Sequence, residues 1–148
     1  MEILPALLWF AAAYLLIALI SMAHVVYNVK VKQLTDRAEG ASILHLEAYR
    51  ETLRWQPLFA LGVFSIVSYI YFGTVLIAEV WPAAVALGLT WVAMTAIVDL
   101  IARVVLRHPW SLTVRELFVE QQPWQGLAYA AIVAAPLLAA PLVVTPVA

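Results

Sequence analysis

The chain has no cysteine among its 148 residues, and only 11% of its residues are charged. The absence of cysteine excludes disulfide bonds, thiolate metal sites and cysteine nucleophiles. A soluble domain is about one quarter charged and about half apolar, whereas 66% of this chain is hydrophobic. The net charge of −1 lacks the basic excess that nucleic-acid binding requires, so no nucleic-acid partner is expected. Together these figures predict an integral membrane protein.

Charged residues are missing from four long stretches of the chain, 3–29, 55–78, 80–98 and 121–148. About 20 apolar residues in a helix cross the hydrocarbon core of a bilayer, and lipid offers no partner for unpaired backbone groups. We therefore predict an all-α integral membrane protein with a single transmembrane domain over residues 1–148. Its four transmembrane helices are predicted near 4–27, 57–78, 82–105 and 124–144. The first is expected to stay as a span, because it lacks the basic n-region of a cleaved signal peptide.

The positions of lysine and arginine predict the orientation of these spans. Five of the eight lie between the first and second spans, and three lie at or after the end of the third. The positive-inside rule then assigns the loops 28–56 and 106–123 to the cytoplasm. Both termini are expected to lie outside, and the membrane is expected to be a plasma or inner membrane.

Each predicted cytoplasmic loop contains a helical pattern of its own. In SILHLEAYRETLRW, which begins at Ser42, apolar residues recur at three- and four-residue steps. This pattern is typical of an amphipathic helix that lies in the membrane interface between spans one and two. In the second loop, Thr113 and Glu116 have the spacing of a capping box, which predicts a short interfacial helix before span four.

Small and weakly polar residues repeat along one face of each predicted span, which suggests that these faces pack against other helices. In span four the repeat consists of Gly126, Ala130 and Ala134, whose spacing allows close approach of helix backbones. It could serve packing within the bundle, self-association, or docking on a larger partner. The stripes on the other spans are Tyr14, Ala18, Ser21, His24 and Asn28; Gly62, Ser65, Ser68 and Tyr69; and Ala84, Gly88, Thr95, Asp99 and Arg103.

Asp99 and Arg103 form the only pair of charged residues inside a predicted span, one helical turn apart. Counting from Pro82 at 1.5 Å per residue puts Asp99 about 26 Å into a hydrocarbon core of about 30 Å, near the cytoplasmic boundary. The same reasoning puts His24 and Asn28 at the cytoplasmic level of span one. These four side chains are the candidate polar pocket. In the alternative interpretation, Asp99 only neutralises Arg103, and His24 bonds a backbone carbonyl.

No catalytic or metal-binding signature accompanies these residues, because the three histidines are dispersed and no nucleophile or phosphate-loop motif occurs. We expect no metal and no cofactor. The first hypothesis is a non-catalytic accessory or assembly subunit of a membrane complex, whose partners are the bilayer and other membrane subunits. The alternative is a homo-oligomeric transporter that moves a small solute or is coupled to protons. A third hypothesis is a lipid-modifying enzyme that uses His24, Asp99 or His45 at the cytoplasmic interface.

Overall fold

The computed structural model describes residues 2–35, 42–75, 77–106, 108 and 111–144. The regular elements within these ranges are all helical, and four helices are long and apolar enough to cross a membrane. The prediction of an all-helical protein with four candidate membrane spans is therefore confirmed. Residues 36–41, 107 and 109–110 of the predicted loops, and residue 76 of the second predicted span, lie outside the described residues.

The four long helices are α1 (Ile3–Lys30), α2 (Glu47–Thr74), α3 (Val80–Asp99) and α4 (Trp124–Val144). A 3₁₀ turn, Ile43–His45, precedes α2, and a π-helical segment, Leu100–Val105, extends α3. A second π-helical segment, Glu116–Glu120, lies between α3 and α4.

The sequence predicts an interfacial helix in the segment 42–55. In the structure this segment contains the 3₁₀ turn Ile43–His45 and the first part of α2. The helix runs through Pro57 without a break. Proline removes only one backbone hydrogen bond, to the carbonyl four residues earlier, and good helix formers such as leucine and alanine flank it. The helix therefore continues from the polar segment into the apolar one.

The helices pack in the order α1, α2, α4, α3. The largest contacts join α4 to α2 and to α3, whereas α1 packs chiefly against α2 and touches α3 at few points. In the most apolar stretch of α1 only 17% of the residues are buried, compared with 39% for α2. The first helix is thus the least packed of the four.

An aromatic core fills the turn end of the bundle, which is the end at which α2 connects to α3. The Phe64 and Trp91 rings lie 5.2 Å apart, and the Phe10 and Tyr71 rings lie beside them. Trp91 Nε1 donates a hydrogen bond of 3.0 Å to the carbonyl of Ala6. This bond satisfies the one polar group of a fully buried indole and ties the start of α1 to α3.

The face of α3 that carries the predicted stripe is buried, and a close contact with the α4 backbone explains why position 88 is a glycine. A Cβ at Gly88 would lie 2.7 Å from the carbonyl oxygen of Val133 on α4. Only a residue without a side chain allows the two backbones to approach this closely. Ala84, Thr95 and Asp99 lie on the same buried face.

The small-residue stripe predicted on α4 is not the face that α4 buries within the chain. Ala130 is exposed, and Gly126 and Ala134 are only partly buried. The buried small residues are Ala128, Ala135, Ala139 and Ala140. Because alanine occupies several faces of this helix, spacing alone cannot select the face that packs.

The stripe predicted on α2 is also only partly buried. Ser68 is buried, whereas Gly62 and Tyr69 are exposed. The face of α2 that packs is instead lined by larger side chains such as Phe64 and Tyr71.

The loop end of the bundle, opposite the turn end, has a small core of its own. Its buried residues are Ile43, Leu44, Leu53, Leu112 and Leu117. The predicted capping box forms: the Thr113 amide donates to Glu116 Oε2 at 2.6 Å, and the Glu116 amide donates to Thr113 Oγ1 at 3.1 Å. The chain after α3 also folds back, since the Leu112 amide donates to the carbonyl of Arg103 at 2.7 Å.

Candidate functional site

The centre of the candidate site is the carboxylate of Asp99, whose residue is only 3% exposed. The Tyr14 hydroxyl donates to Oδ1 at 2.8 Å, and Arg103 Nε lies 3.4 Å from the same oxygen. Gln125 Nε2 and the Tyr129 hydroxyl each donate to Oδ2 at 3.0 Å. One carboxylate therefore joins α1, α3 and α4.

The local sequence explains how these groups reach Asp99. Gln125 and Tyr129 are four residues apart, so they lie on the same face of α4 and both point towards one oxygen. Arg103 stands four residues after Asp99, in the π-helical segment that begins directly after it. Its Nη1 donates to the Tyr49 hydroxyl at 3.3 Å, which extends the network to α2.

Three hydrogen bonds and one ion pair surround the Asp99 carboxylate. An ionised carboxylate offers about four lone-pair sites, and Tyr14, Gln125 and Tyr129 donate to three of them. The Arg103 guanidinium, 3.4 Å from Oδ1, offsets the charge, and the three hydrogen bonds replace water that burial removes. A further cation at Asp99 would compete with Arg103 for the carboxylate.

A second polar group joins α1 to α2 nearer the loop end. His24 Nδ1 lies 2.9 Å from Thr52 Oγ1 and 3.2 Å from Asn28 Nδ2. Asn28 Nδ2 also donates to the carbonyl of Ala48 at 3.2 Å, and Asn28 is fully buried. This group is the polar part of the contact between the first two helices.

The structure thus brings Asp99 to Arg103 and His24 to Asn28, but it holds the two pairs in separate groups. Tyr14 is the α1 residue at the level of Asp99. His24 is ten residues further along α1, which corresponds to about 15 Å. Because α1 has 28 residues, more than a bilayer core requires, counting residues along α1 does not fix its height relative to α3.

The Asp99 network contains four residues that the sequence analysis did not assign to the candidate pocket, namely Tyr14, Tyr49, Gln125 and Tyr129. Tyr14 is part of the predicted stripe on span one. A weaker signal for the α4 pair was available, because Gln125 and Tyr129 are hydrogen-bonding residues one turn apart in an otherwise apolar span.

A cavity of about 350 Å³ lies beside the Asp99 network, in the loop-end half of the bundle. Phe64 and Ile132 line it towards the turn end, and Ile43 and Leu112 line it towards the loop end. Because α1 hardly touches α4, the cavity occupies the gap between these two helices. Its polar wall residues are Tyr14, Ser21, Tyr49, Thr52, Gln56, Thr95, Asp99, Arg103, His108, Gln125 and Tyr129. The wall includes neither His24 nor Asn28.

Within the described ranges, no group of three or more His, Asp or Glu side chains is arranged to hold a metal ion. Comparison of the chain with protein-family models, with curated proteins and with solved structures gives no match. The function is therefore argued from the bundle, the Asp99 network and the cavity.

Proposed function

We propose that the protein is a non-catalytic accessory or assembly subunit of a membrane complex. The Asp99 carboxylate, held by groups from three helices of the same chain, is the observation that carries this proposal. Three hydrogen bonds and the ion pair with Arg103 engage both of its oxygens within the bundle. A charge used in this way fixes the positions of helices relative to one another, which is a structural role.

The surface offered to a partner is the outer side of α1. Its exposed residues Leu8, Ala12, Leu15 and Leu19, none of which lines the cavity, are separated by four, three and four residues. This spacing supports packing against a second helix in a left-handed pair. The partner we propose is an apolar transmembrane helix of another subunit. The exposed side of the Gly126, Ala130 and Ala134 stripe on α4 supports a second contact, by self-association or with the same partner.

The orientation proposed for this subunit follows from its basic residues. Lys30, Lys32, Arg54 and Arg115 all lie at or near the loop end of the bundle. By the positive-inside rule the loop end faces the cytoplasm and both termini lie outside. Protease protection of tags at the two termini, in oriented membrane vesicles, tests this assignment.

Purification from native membranes in a mild detergent tests the proposed function. A tagged chain expressed at its natural level is expected to bring down a stoichiometric partner, and native mass measurement gives the composition. The double variant Leu15→Ala with Leu19→Ala should lose this partner. The matched control is Ile66→Ala on α2, because Ile66 and Leu15 are each 63% exposed. A chain that purifies only as itself, and whose deletion leaves other membrane proteins at normal abundance, would contradict the proposal.

The second candidate function is transport of a small solute by a homo-oligomer. The cavity favours it, because Asp99 and Arg103 both lie on the cavity wall. Flux in proteoliposomes that Asp99→Asn abolishes would support transport, whereas a tight monomer without flux would exclude it. A lipid-modifying reaction has no comparable support, since His24 is bonded to Thr52 and does not line the cavity.

A further inference from the structure

We propose that the cavity between α1 and α4 binds one acyl chain of an anionic phospholipid from the surrounding leaflet, with the lipid phosphate against Arg103. This proposal concerns a ligand and does not depend on the proposed assembly function. Four observations carry it: the length of the cavity, the distribution of polar groups along it, the state of Arg103 and the exposed residues at its edge.

The length of the cavity matches one leaflet of a bilayer. Its wall on α2 runs from Tyr49 to Phe64, and the 15 residue-to-residue steps between them correspond to about 22 Å of helix. A bilayer with its head groups is about 40–45 Å thick, so a single leaflet measures about 20–22 Å. The volume of about 350 Å³ is at the small end of ligand pockets, which suits a part of one chain and not a whole lipid.

On two of the helices, α2 and α4, polar wall residues lie towards the loop end and apolar ones towards the turn end, in the order that a phospholipid requires. On α2 the polar residues Tyr49 and Gln56 are followed by Ala60 and Phe64, and on α4 Gln125 is followed by Ile132. On α1 the wall is mostly apolar along its whole length. Arg103 and Tyr49 lie towards the loop end, where the basic residues of the chain collect. The head group of a lipid in the proposed cytoplasmic leaflet would lie at the same end.

Arg103 can bind a phosphate without releasing Asp99. A guanidinium has five N–H donors, and here Nε faces Asp99 while Nη1 donates to Tyr49. The side chain is 26% exposed, so its remaining N–H groups can be reached. Three neutral groups also donate hydrogen bonds to the Asp99 carboxylate, so Arg103 is not the only group that stabilises its negative charge. Arginine and phosphate form paired, charge-assisted hydrogen bonds.

The edge of the cavity is open to a lipid chain arriving from the side. Met22 and Val26 on α1 line the cavity and are 52% and 45% exposed. Opposite them α1 makes almost no contact with α4. At the loop end, by contrast, the buried residues Ile43 and Leu112 close the wall. A chain can therefore enter between the helices without crossing the loop-end core.

The experiment reconstitutes the full chain in nanodiscs of phosphatidylcholine alone, of phosphatidylglycerol alone, and of an equal mixture. The protein is then extracted from the nanodiscs into a mild detergent. Native mass spectrometry counts the lipids that stay bound as the collision energy is raised. One phosphatidylglycerol per chain is expected to remain. Ala18 lines the cavity, so the indole of Ala18→Trp should occupy part of it. Because alanine has no polar side-chain atom, this substitution removes no hydrogen bond. Ala23→Trp places the same indole on the exposed side of α1, outside the cavity wall, and is the matched control.

Ala18→Trp should reduce the bound fraction about tenfold, while Ala23→Trp should leave it unchanged. Arg103→Lys keeps a counter-charge for Asp99 but loses the paired donors, so it should reduce the preference for phosphatidylglycerol by a similar factor, about tenfold. Equal retention by the two tryptophan variants would overturn the proposal. So would equal retention of the two lipids, or retention of added free fatty acid in place of phospholipid. Each result is the number of lipids bound to the purified chain. It is therefore independent of whether purification from native membranes recovers a partner protein.

Discussion

Replacing Gly88 with alanine tests the close contact between α3 and α4. The new Cβ would lie 2.7 Å from the carbonyl oxygen of Val133 and 3.1 Å from its Cα, where ordinary contacts begin near 3.4 Å. Both atoms belong to the backbone of α4, so neither can rotate away, and the two helices must move apart by several tenths of an ångström. Overpacking of this kind costs about 1–3 kcal/mol, and the better helix propensity of alanine returns about 0.5–1 kcal/mol. We expect Gly88→Ala to lower the free energy of unfolding by about 1–2 kcal/mol.

The assay is reversible unfolding in micelles of a mild detergent with increasing dodecyl sulfate, followed by helix content. Gly62→Ala is the matched control, because Gly62 is also in the middle of a long helix but has no other atom within 4 Å of the added Cβ. Gly62→Ala should therefore leave stability unchanged or raise it slightly. If the two alanine variants unfolded at the same dodecyl sulfate fraction, the argument that α3 and α4 meet at Gly88 would be wrong.

Three further predictions concern the polar groups. Asp99→Asn should lower the free energy of unfolding by about 1–3 kcal/mol in the same assay, since it removes the counter-charge of Arg103 and turns one acceptor oxygen into an NH₂ group that faces hydrogen-bond donors; an unchanged value would refute this. Tyr14→Phe should cost about 1 kcal/mol and should be non-additive with Asp99→Asn in a double-mutant cycle, whereas strict additivity would contradict the bond between them. Hydrogen bonds from the Ser42 hydroxyl, then from the Thr113 amide, hold the pKa of Glu116 below its ordinary value of 4.5. The stabilisation is complete above that value and is lost as the pH falls through the lowered folded pKa, so Glu116→Gln should flatten the acid dependence of thermal unfolding.

The features that the sequence predicts correctly depend on local patterns. Long apolar stretches predict the four candidate spans, because a helix must satisfy its own backbone in lipid. The capping box at Thr113 and Glu116 needs only neighbouring residues, and it forms as predicted. The inward face of α3 is marked by Gly88 and Asp99, two residues that lipid would not favour, and both are buried.

The features that the sequence did not predict depend on how one helix is placed against another. His24 and Asp99 each lie on a predicted inward stripe, but no local pattern sets the height of α1 relative to α3. The structure fixes that height with the Tyr14 to Asp99 bond and with the bond from Trp91 to Ala6. On α4 the alanines offer several small faces, so the face that packs is selected by α2 and α3 and not by α4 itself.

The burial of Asp99 explains why one arginine is not enough to hold it. On the surface of the bundle a carboxylate would keep its water, and Arg103 alone would neutralise it. In the structure Asp99 is only 3% exposed, and its hydrogen-bonding partners are side chains of α1 and α4. A carboxylate buried in this way loses its water, and each lost hydrogen bond must be replaced by a side chain from the bundle. Because these donors lie on α1, α3 and α4, a shift of any one of these helices along its axis would leave a buried charge short of a donor. The network therefore selects one register of three helices, which packing of alanine and leucine surfaces alone does not specify.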